Sequence, residues 1–516
     1  MSRVIVIYWD QLTFEISSLK AAKAQDVVVF VECHEQCTYV KHHKKKLVFL
    51  LSAMRHFAKS LKRKRKTLNV QYFSLDDANG LNTLSKCLQH LHQQSPIRKL
   101  IATHPGEHHQ LVTLKKIGKK LKASLELLED DRFICSQIEF STWISSKRNN
   151  SQIIMESFYR EMRKKTNFLM DGHKPIGGKW NFDKENRNPI PDGVPVPHID
   201  GFKPKPEVKA VIPLVKKFFP KHFGDIEPFW FGITREDAQK ALALFIEKAL
   251  PHFGEYQDAM LDGEAFLFHS VLSQYLNVGL LDPMEVCQQV ELEYHQGHIS
   301  LPCAEGFIRQ IIGWREFIRG IYWHYMPDYQ DFNAMNYAGK LPDLYWGEKT
   351  KMRCLSHTVA ETRRHAYSHH IQRLMITGNF ATLIGVRPEL IHEWYLIVYI
   401  DAFEWVEMPN TMGMATFADG GIVGTKPYIS GGNYINKMSN FCDKCHYKIK
   451  KKNGTDACPF NYLYWNYLIT HHDKLKFNHR LRMPLATLAR MSREKIAEIK
   501  RDSQRFLQKI ENGNVI

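Results

Sequence analysis

Toward the C-terminal end, Cys442, Cys445 and Cys458 stand as C-x2-C-x12-C, with Pro459 directly after the last. Thiols grouped in this way, in a chain that carries no secretory signature, are better explained by a metal than by disulfides. Three ligands do not close a four-coordinate site. Cys354, at the end of K-M-R-C, is the nearest cysteine upstream. Four cysteines hold either zinc or an iron–sulfur cluster, and spacing alone leaves both open. The other cysteines read as structural: Cys87, Cys135 and Cys287 sit singly among apolar residues, and the C-x3-C of Cys33 and Cys37 has no further partner nearby.

Two other segments carry groups that do chemistry. In Phe268-His269-Ser270-Val271-Leu272-Ser273 small hydroxyls fall where a helix begins, which suits a phosphate. Ser is also a common plain N-cap, and on these residues alone that is the favoured reading. The run Ala366-Tyr367-Ser368-His369-His370-Ile371-Gln372-Arg373 pairs two histidines, the side chain whose pKa lies nearest neutral pH.

The elements that must position these groups fall into two kinds. Val4–Trp9, Val27–Val31, Val70–Ser74 and Leu100–Thr103 read as buried parallel strands, with Ser124–Leu128 as a fifth. Leu47–Leu61 and Leu81–His92 between them have helical periodicity. This predicts an α/β doubly wound domain over residues 1–135, with ligands expected at the carboxyl ends of the strands. No GxGxxG is present, so a dinucleotide there is not supported. The basic runs Lys41–Lys46 and Lys62–Lys66 read as solvated faces. Residues 136–233 form a linker and long crossing loop, whose Gly177–Arg187 stretch mixes aromatic and charged residues and is expected to fold against something. Residues 234–516 read as an all-α domain, with buried helices over Phe307–Tyr325 and Glu389–Val406.

The chain has 516 residues and a formal net charge of +17, which favours a polyanionic partner, nucleic acid before an anionic membrane surface. No apolar run reaches the roughly 18 residues that span a bilayer. The N-terminus enters a strand directly without a signal-peptide cleavage site, so a cytoplasmic location is expected, where thiols stay reduced.

Taken together, these segments resemble the photolyase–cryptochrome flavoproteins. Phe268–Gly279 looks like their flavin-phosphate loop, Gly313–Phe317 like their W-R-E-F helix, and Asp401–Glu407 like their D-x-D-x-x-x-N flavin segment. His369–Arg373 resembles the H-H-L-A-R of animal (6-4) photolyases. G-G-K-W-N-F-D-x-E-N-R, R-Q-I-I-G-W-R-E, G-T-K-P-Y, G-N-Y-I-N-x-M-S and the four cysteines look like the iron–sulfur bacterial cryptochromes and photolyases, from Tyr8 to the last helices.

The resemblance implies a [4Fe-4S] cluster on Cys354, Cys442, Cys445 and Cys458. It implies FAD in the helical domain, its phosphates held by His269, Ser270, Leu272 and Ser273 with Gln310 and Arg315 nearby, and Arg373 and Asp401 facing each other across the isoalloxazine edge. Glu407 stands where many photolyases have Asn, Phe403 replaces the second Asp, and Leu374 replaces a further His. This branch carries a 6,7-dimethyl-8-ribityllumazine antenna, expected near Asp10, Gln11, Glu32, Gln36 and Glu107.

The implied activity is that of a (6-4) DNA photolyase, a carbon–carbon lyase acting as a monomer on UV-damaged DNA. His370 would be the acid and His369 its assistant. Asp183, Arg187, Lys426 and Tyr428 would meet the lesion or the duplex. Trp394 and Trp346 would carry electrons from the surface, with Tyr395 between them. Two alternatives stand beside it: a blue-light photoreceptor without repair, and a four-cysteine zinc DNA-binding protein without flavin.

Overall fold

The computed structural model describes residues 2–147, 153–191 and 193–516. Five parallel strands, β1 (Ser2–Ile7), β2 (Val27–Val31), β3 (Asn69–Phe73), β4 (Ile97–Thr103) and β5 (Ser124–Leu128), form one sheet in the order β3-β2-β1-β4-β5. β-branched runs make it because both faces are covered. Val4, Val6 and Val29 pack with Leu88 and Leu114 on one side, while Ile5, Ile7, Val28 and Phe30 join the main core on the other. The strand order reverses between β1 and β4, and there the chain ends of both strands open onto the helical part.

The helix Lys44–Lys64 is longer at both ends than its apolar stripe, and His43 caps its start by accepting from Lys45 N at 3.0 Å. Its N-terminal end corrects the reading of Lys41–Lys46 as a solvated face. His42, His43, Lys45 and Lys46 are buried. Lys46 Nζ donates to Leu396 O at 3.2 Å and to Ala402 O at 2.5 Å, and Lys45 Nζ to Asp225 O at 2.7 Å. A lysine tolerates such a place because carbonyls from distant elements satisfy its donors. Lys62, Arg63 and Lys64 at the other end are exposed, as expected.

The crossing segment holds helices Gln137–Ser146, Met155–Thr166 and Pro206–Phe218. Its Gly177–Arg187 stretch folds against the helix Leu301–Ile308: Phe182 N donates to Glu305 Oε2 at 3.1 Å and Asn186 Nδ2 to Pro302 O at 3.3 Å.

From Arg235 onward the chain is helical, but two expected continuous helices are interrupted. Phe307–Tyr325 contains a π-turn over Arg309–Arg315, and the stretch Glu389–Val406 breaks after Val398 and resumes at Glu404. Tertiary bonds override local periodicity at the break: Ile400 N donates to Ala366 O at 2.9 Å, and Ala402 O receives Lys46. Further π-turns span Gln372–Gly378 and Pro409–Ala415, so Arg315 and Arg373 both lie in widened turns. Such turns concentrate at functional sites. No helix of the described residues is long and apolar enough to cross a membrane.

Candidate functional site

Leu267 and Val271 flank the Phe268–Ser270 turn in left-handed backbone, at φ 48° and 49°. A β-branched residue held there costs on the order of 1–3 kcal/mol, a strain that clusters at ligand clamps. His269, Ser270 and Val271 form one wall of a cavity with about 560 Å³ of empty space, counted to its open mouth, and Phe202, Trp230 and Lys248 lie on the other walls. Ser273 Oγ donates to Asp401 Oδ2 at 2.6 Å, and Arg373 grips the same carboxylate with both terminal nitrogens at 3.0 and 3.1 Å. The guanidinium lies 3.9 Å over the Tyr399 ring. Arg373 and Asp401, expected on opposite sides of a ligand edge, are thus a direct bidentate pair.

Leu272 is buried, and Gln310 donates to Gly306 O at 3.1 Å. Arg315 is turned to the α/β side: it pairs with Glu316 Oε1 at 2.6 Å, donates to Arg132 O at 3.2 Å, and covers the Phe133 ring at 4.1 Å. None of these contacts is with the Phe268–Ser273 loop.

The histidine pair divides sharply. His369 is buried and stacks on His269 at 4.3 Å with an interplanar angle of 11°. His370 is exposed; local desolvation, then the charge of the nearby Arg373, pushes its pKa down to about 4. Burial likewise lowers His269 to about 3 and holds His369 well below the usual range, so the stacked rings are neutral. His269 Nε2, both ring nitrogens of His369 and Gln372 Nε2 are buried without a partner among the described residues. Unpaired buried donors and acceptors are costly, and together they fit a polar cofactor against this wall.

Glu407 accepts from Thr411 Oγ1 and pairs with His392 Nδ1; burial opposes the imidazolium, but Glu407 outweighs it and raises the His392 pKa. Trp394 is fully buried and donates Nε1 to Tyr345 O at 2.9 Å, with the Tyr345 ring 5.0 Å away. Trp346, next in the chain to Tyr345, is 39 % exposed. Tyr395 has ring contacts with Trp394 at 5.3 Å and Tyr399 at 5.4 Å, and none with Trp346 among the described residues. Tyr345 contacts Trp394 and precedes Trp346 in the chain, whose ring meets Phe223 at 5.9 Å, while Tyr395 lies on the Arg373 side, its hydroxyl donating to Arg373 O.

Asp183, Arg187, Lys426 and Tyr428 share one rim. Arg187 pairs with Asp183, which also meets Arg309 at 3.3 Å. Lys426 and Tyr428 are half-buried; burial lowers the former's pKa and raises the latter's, and both feel the charge of Arg187.

The residues expected around an antenna separate into two places. Asp10, Gln11 and Glu107 meet at the β1/β4 switch point: Gln11 Nε2 donates to His104 O at 3.2 Å, and Arg132 pairs with Asp10 at 3.2 Å. Gly106 permits the approach, since a Cβ there would lie 2.5 Å from Asp10 Oδ2. Glu32 instead is fully engaged by Arg55, by Tyr72 OH at 2.6 Å and by Leu75 N at 2.8 Å, and Gln36, later in the chain, is half-buried. Trp9, Tyr39, His42 and His109, which carried no sequence signal, complete the switch-point site: Tyr39 OH donates to Glu107 Oε1 at 3.2 Å, and the His109 ring lies 4.6 Å from that of Tyr39. Tyr8 OH, Trp9 Nε1, Asp10 Oδ1 and Gln110 Oε1 are buried there without partners among the described residues, a donor and acceptor set that fits a polar heterocycle.

The same site is charged. Burial pushes Glu107 up to about 7 and Lys46 down to about 8, while Glu404 and Glu107 overcome burial to raise His109 to about 9. A His pKa raised in the fold contributes stability that is complete below its ordinary value near 6.5 and is lost as pH rises through about 9. Glu107 has the same sign between about 4.5 and 7. Lys46, lowered to about 8, has the opposite sign above that pH, so we expect the thermal midpoint to fall between pH 6.5 and about 8, with His109→Gln flattening that slope. His109 contributes about 1–2 kcal/mol after screening of the exposed third of its ring.

Cys354, Cys442, Cys445 and Cys458 line one pocket with about 350 Å³ of empty space, closed by Ile435 and Ile449. Gly432 leaves room there: a Cβ would sit 2.8 Å from Cys458 Sγ. No three His, Cys, Asp or Glu side chains of the described residues converge tightly enough to hold a single metal ion. The loop before Cys458 is braced by Asp502, which accepts from Gly454 N at 2.7 Å.

An α/β unit set on a helical body of this kind is shared with two solved structures. A bacterial class III photolyase from Agrobacterium tumefaciens gives a TM-score of 0.54 at 14% identity over 85% of this chain and 86% of that one. The Synechocystis sp. PCC6803 cryptochrome gives 0.54 at 13% over 85% and 88%. The family described as deoxyribodipyrimidine photo-lyase-related protein matches residues 5–231. A protein named (6-4) photolyase from Agrobacterium fabrum (strain C58 / ATCC 33970) is 45% identical over 512 residues, 99% of this chain and all of that relative. The chain belongs to the photolyase–cryptochrome family. Membership implies FAD as cofactor and sets aside the flavin-free zinc protein.

Asp401→Ala should leave Arg373 without its counter-charge. The expected cost is about 3 kcal/mol, with loss of the bound flavin's visible absorbance.

Proposed function

We propose that this chain is a light-driven (6-4) photolyase that reverses pyrimidine–pyrimidone (6-4) photoproducts in DNA. The observation that carries the reading is the position of His370, open to solvent beside the Arg373–Asp401 pair, in a chain 45% identical end to end to a (6-4) photolyase. Bound and reduced, FAD supplies the electron after light absorption. Arg373 and Asp401 orient the cofactor edge, and the buried, neutral His269–His369 stack closes one wall against water.

His370 holds the proton needed by the lesion as its hydroxyl moves back. In the free chain local desolvation of its otherwise exposed ring and the charge of Arg373 keep it neutral, so the negative charge arriving with flavin and DNA phosphates is what charges it. The lesion leaves the base stack to reach His370, which costs less at a damaged site. Lys426 and Tyr428 line its entry, and Arg187 grips the backbone without reading sequence. Trp346, Tyr345 and Trp394 pass electrons inward from the surface.

Four thiols around one hollow, rather than converging on a point, support a [4Fe-4S] cluster with a structural role. The unpaired polar atoms at the β1/β4 switch point support 6,7-dimethyl-8-ribityllumazine there, on Asp10, Gln11 and Glu107 with Trp9 and His109. Ten cysteines without a disulfide accord with a reducing, cytoplasmic compartment, and the chain acts as a monomer on UV-damaged DNA. Illuminating the reduced protein with duplexes carrying a (6-4) lesion or a cyclobutane dimer tests the proposal. Reversal of the (6-4) lesion is expected; reversal of neither would leave a photoreceptor.

A further inference from the structure

Phe477 is 88 % exposed, more than any other large apolar side chain of the described residues. A lone exposed phenylalanine is ordinary; its setting here is not. The loop that carries it is pinned on both sides by buried Leu475 and Leu481. Asn478 holds the turn, donating through Nδ2 to Thr425 O at 3.1 Å and accepting from Arg480 N at 3.0 Å. The ring is therefore displayed by a braced turn.

Its surroundings are cationic. Between His472 and Arg493 stand Lys474, Lys476, Arg480, Arg482, Arg490 and Arg493 against a single acid, Asp473. Asp473 pairs with Lys476 at 3.2 Å, and Lys474 is tied to Ala334 O at 2.7 Å, which leaves Arg480 and Arg482 exposed on either side of Leu481. The loop also abuts the lesion rim. Thr425 precedes Lys426, and Arg480 acts electrostatically on both Lys426 and Tyr428.

We propose that Phe477 is a wedge for duplex DNA, entering the base stack in the gap left when the lesion flips toward His370, while Arg480 and Arg482 hold the flanking phosphates. The inference rests on the repair reading and adds a residue that reading did not use. Flipping leaves unpaired bases whose lost stacking must be replaced, and an aromatic ring restores on the order of 1–3 kcal/mol per base. The basic flanks select a polyanion as the occupant.

The test compares full-length wild type, F477A and F477W for affinity to a (6-4) lesion in duplex DNA, the same lesion in a single strand, and undamaged duplex. A fluorescent base opposite the lesion reports unstacking. Phe477 touches little of the protein, so the variants should keep the wild-type thermal midpoint. F477A should bind the lesion duplex about tenfold more weakly and lose the fluorescence change, bind the single-stranded lesion as wild type does, and be rescued by F477W. Wild-type-like behaviour of F477A on both substrates, or equal loss on both, overturns the wedge alone. A wild-type protein that does not distinguish lesion duplex from undamaged duplex overturns the repair reading and the wedge with it.

Discussion

His370→Ala should slow reversal of a (6-4) lesion by about 10²–10⁴-fold, the usual worth of a positioned acid, while flavin loading and light-driven flavin reduction stay intact. The separation follows from where the ring is. His370 is exposed two residues before the widened turn Gln372–Gly378, so removing it opens no cavity and leaves the Arg373–Asp401 pair at 3.0 and 3.1 Å. His369 is the contrasting case: buried against His269, its loss should unload the cofactor as well. The pH profile adds a second readout. A histidine acid works only below its pKa in the complex, so wild-type repair falls as pH rises through that value, and the residual activity of the alanine variant should not. Repair by His370→Ala at the wild-type rate would remove the acid.

Cys354→Ser carries the other large effect. The four thiols come from three separate segments: the start of the helix Arg353–His365, the turn Phe441–Lys444 with Cys445 after it, and the residue before the helix Pro459–Thr470. A cluster on them ties the helix that leads to His369 and His370 to the C-terminal helices. Loss of one ligand should abolish iron absorbance and leave most of the chain insoluble, because metal binding of this kind is folding free energy, on the order of 10 kcal/mol for structural sites. Asp502→Ala, which frees Gly454 N and Asn453 Nδ2 in the loop before Cys458 and unpairs Arg505, should retain the cluster but release iron faster to a chelator. A folded, flavin-loaded Cys354→Ser protein without iron would show the cluster to be dispensable.

Much of this was legible in the residues. β2 and β5 have the bounds their apolar runs predict, and the strand–helix alternation implies the doubly wound sheet, because burial on both faces demands such runs. The spacing of Cys442, Cys445 and Cys458 places three thiols within reach of one another, since a C-x2-C turn is local geometry. Arg373 and Asp401 both stand out in the sequence, although their direct pairing does not.

The remainder depends on contacts that no window of sequence contains. Lys41–Lys46 has the composition of a solvated face, yet Lys46 is buried because Leu396 and Ala402, 350 and 356 positions away, offer it carbonyls. The break after Val398 and the turning of Arg315 toward Phe133 have the same origin: local periodicity says which face is apolar but not what meets it. Trp9, His42 and His109 give no motif, and only the strand order that sets β1 beside β4 assembles them with Glu107. The residue types and their spacing dictated which chemistry the chain can hold. Folding decided which histidine faces the substrate and which lysine leaves water, because desolvation and distant hydrogen bonds are set by three-dimensional neighbours.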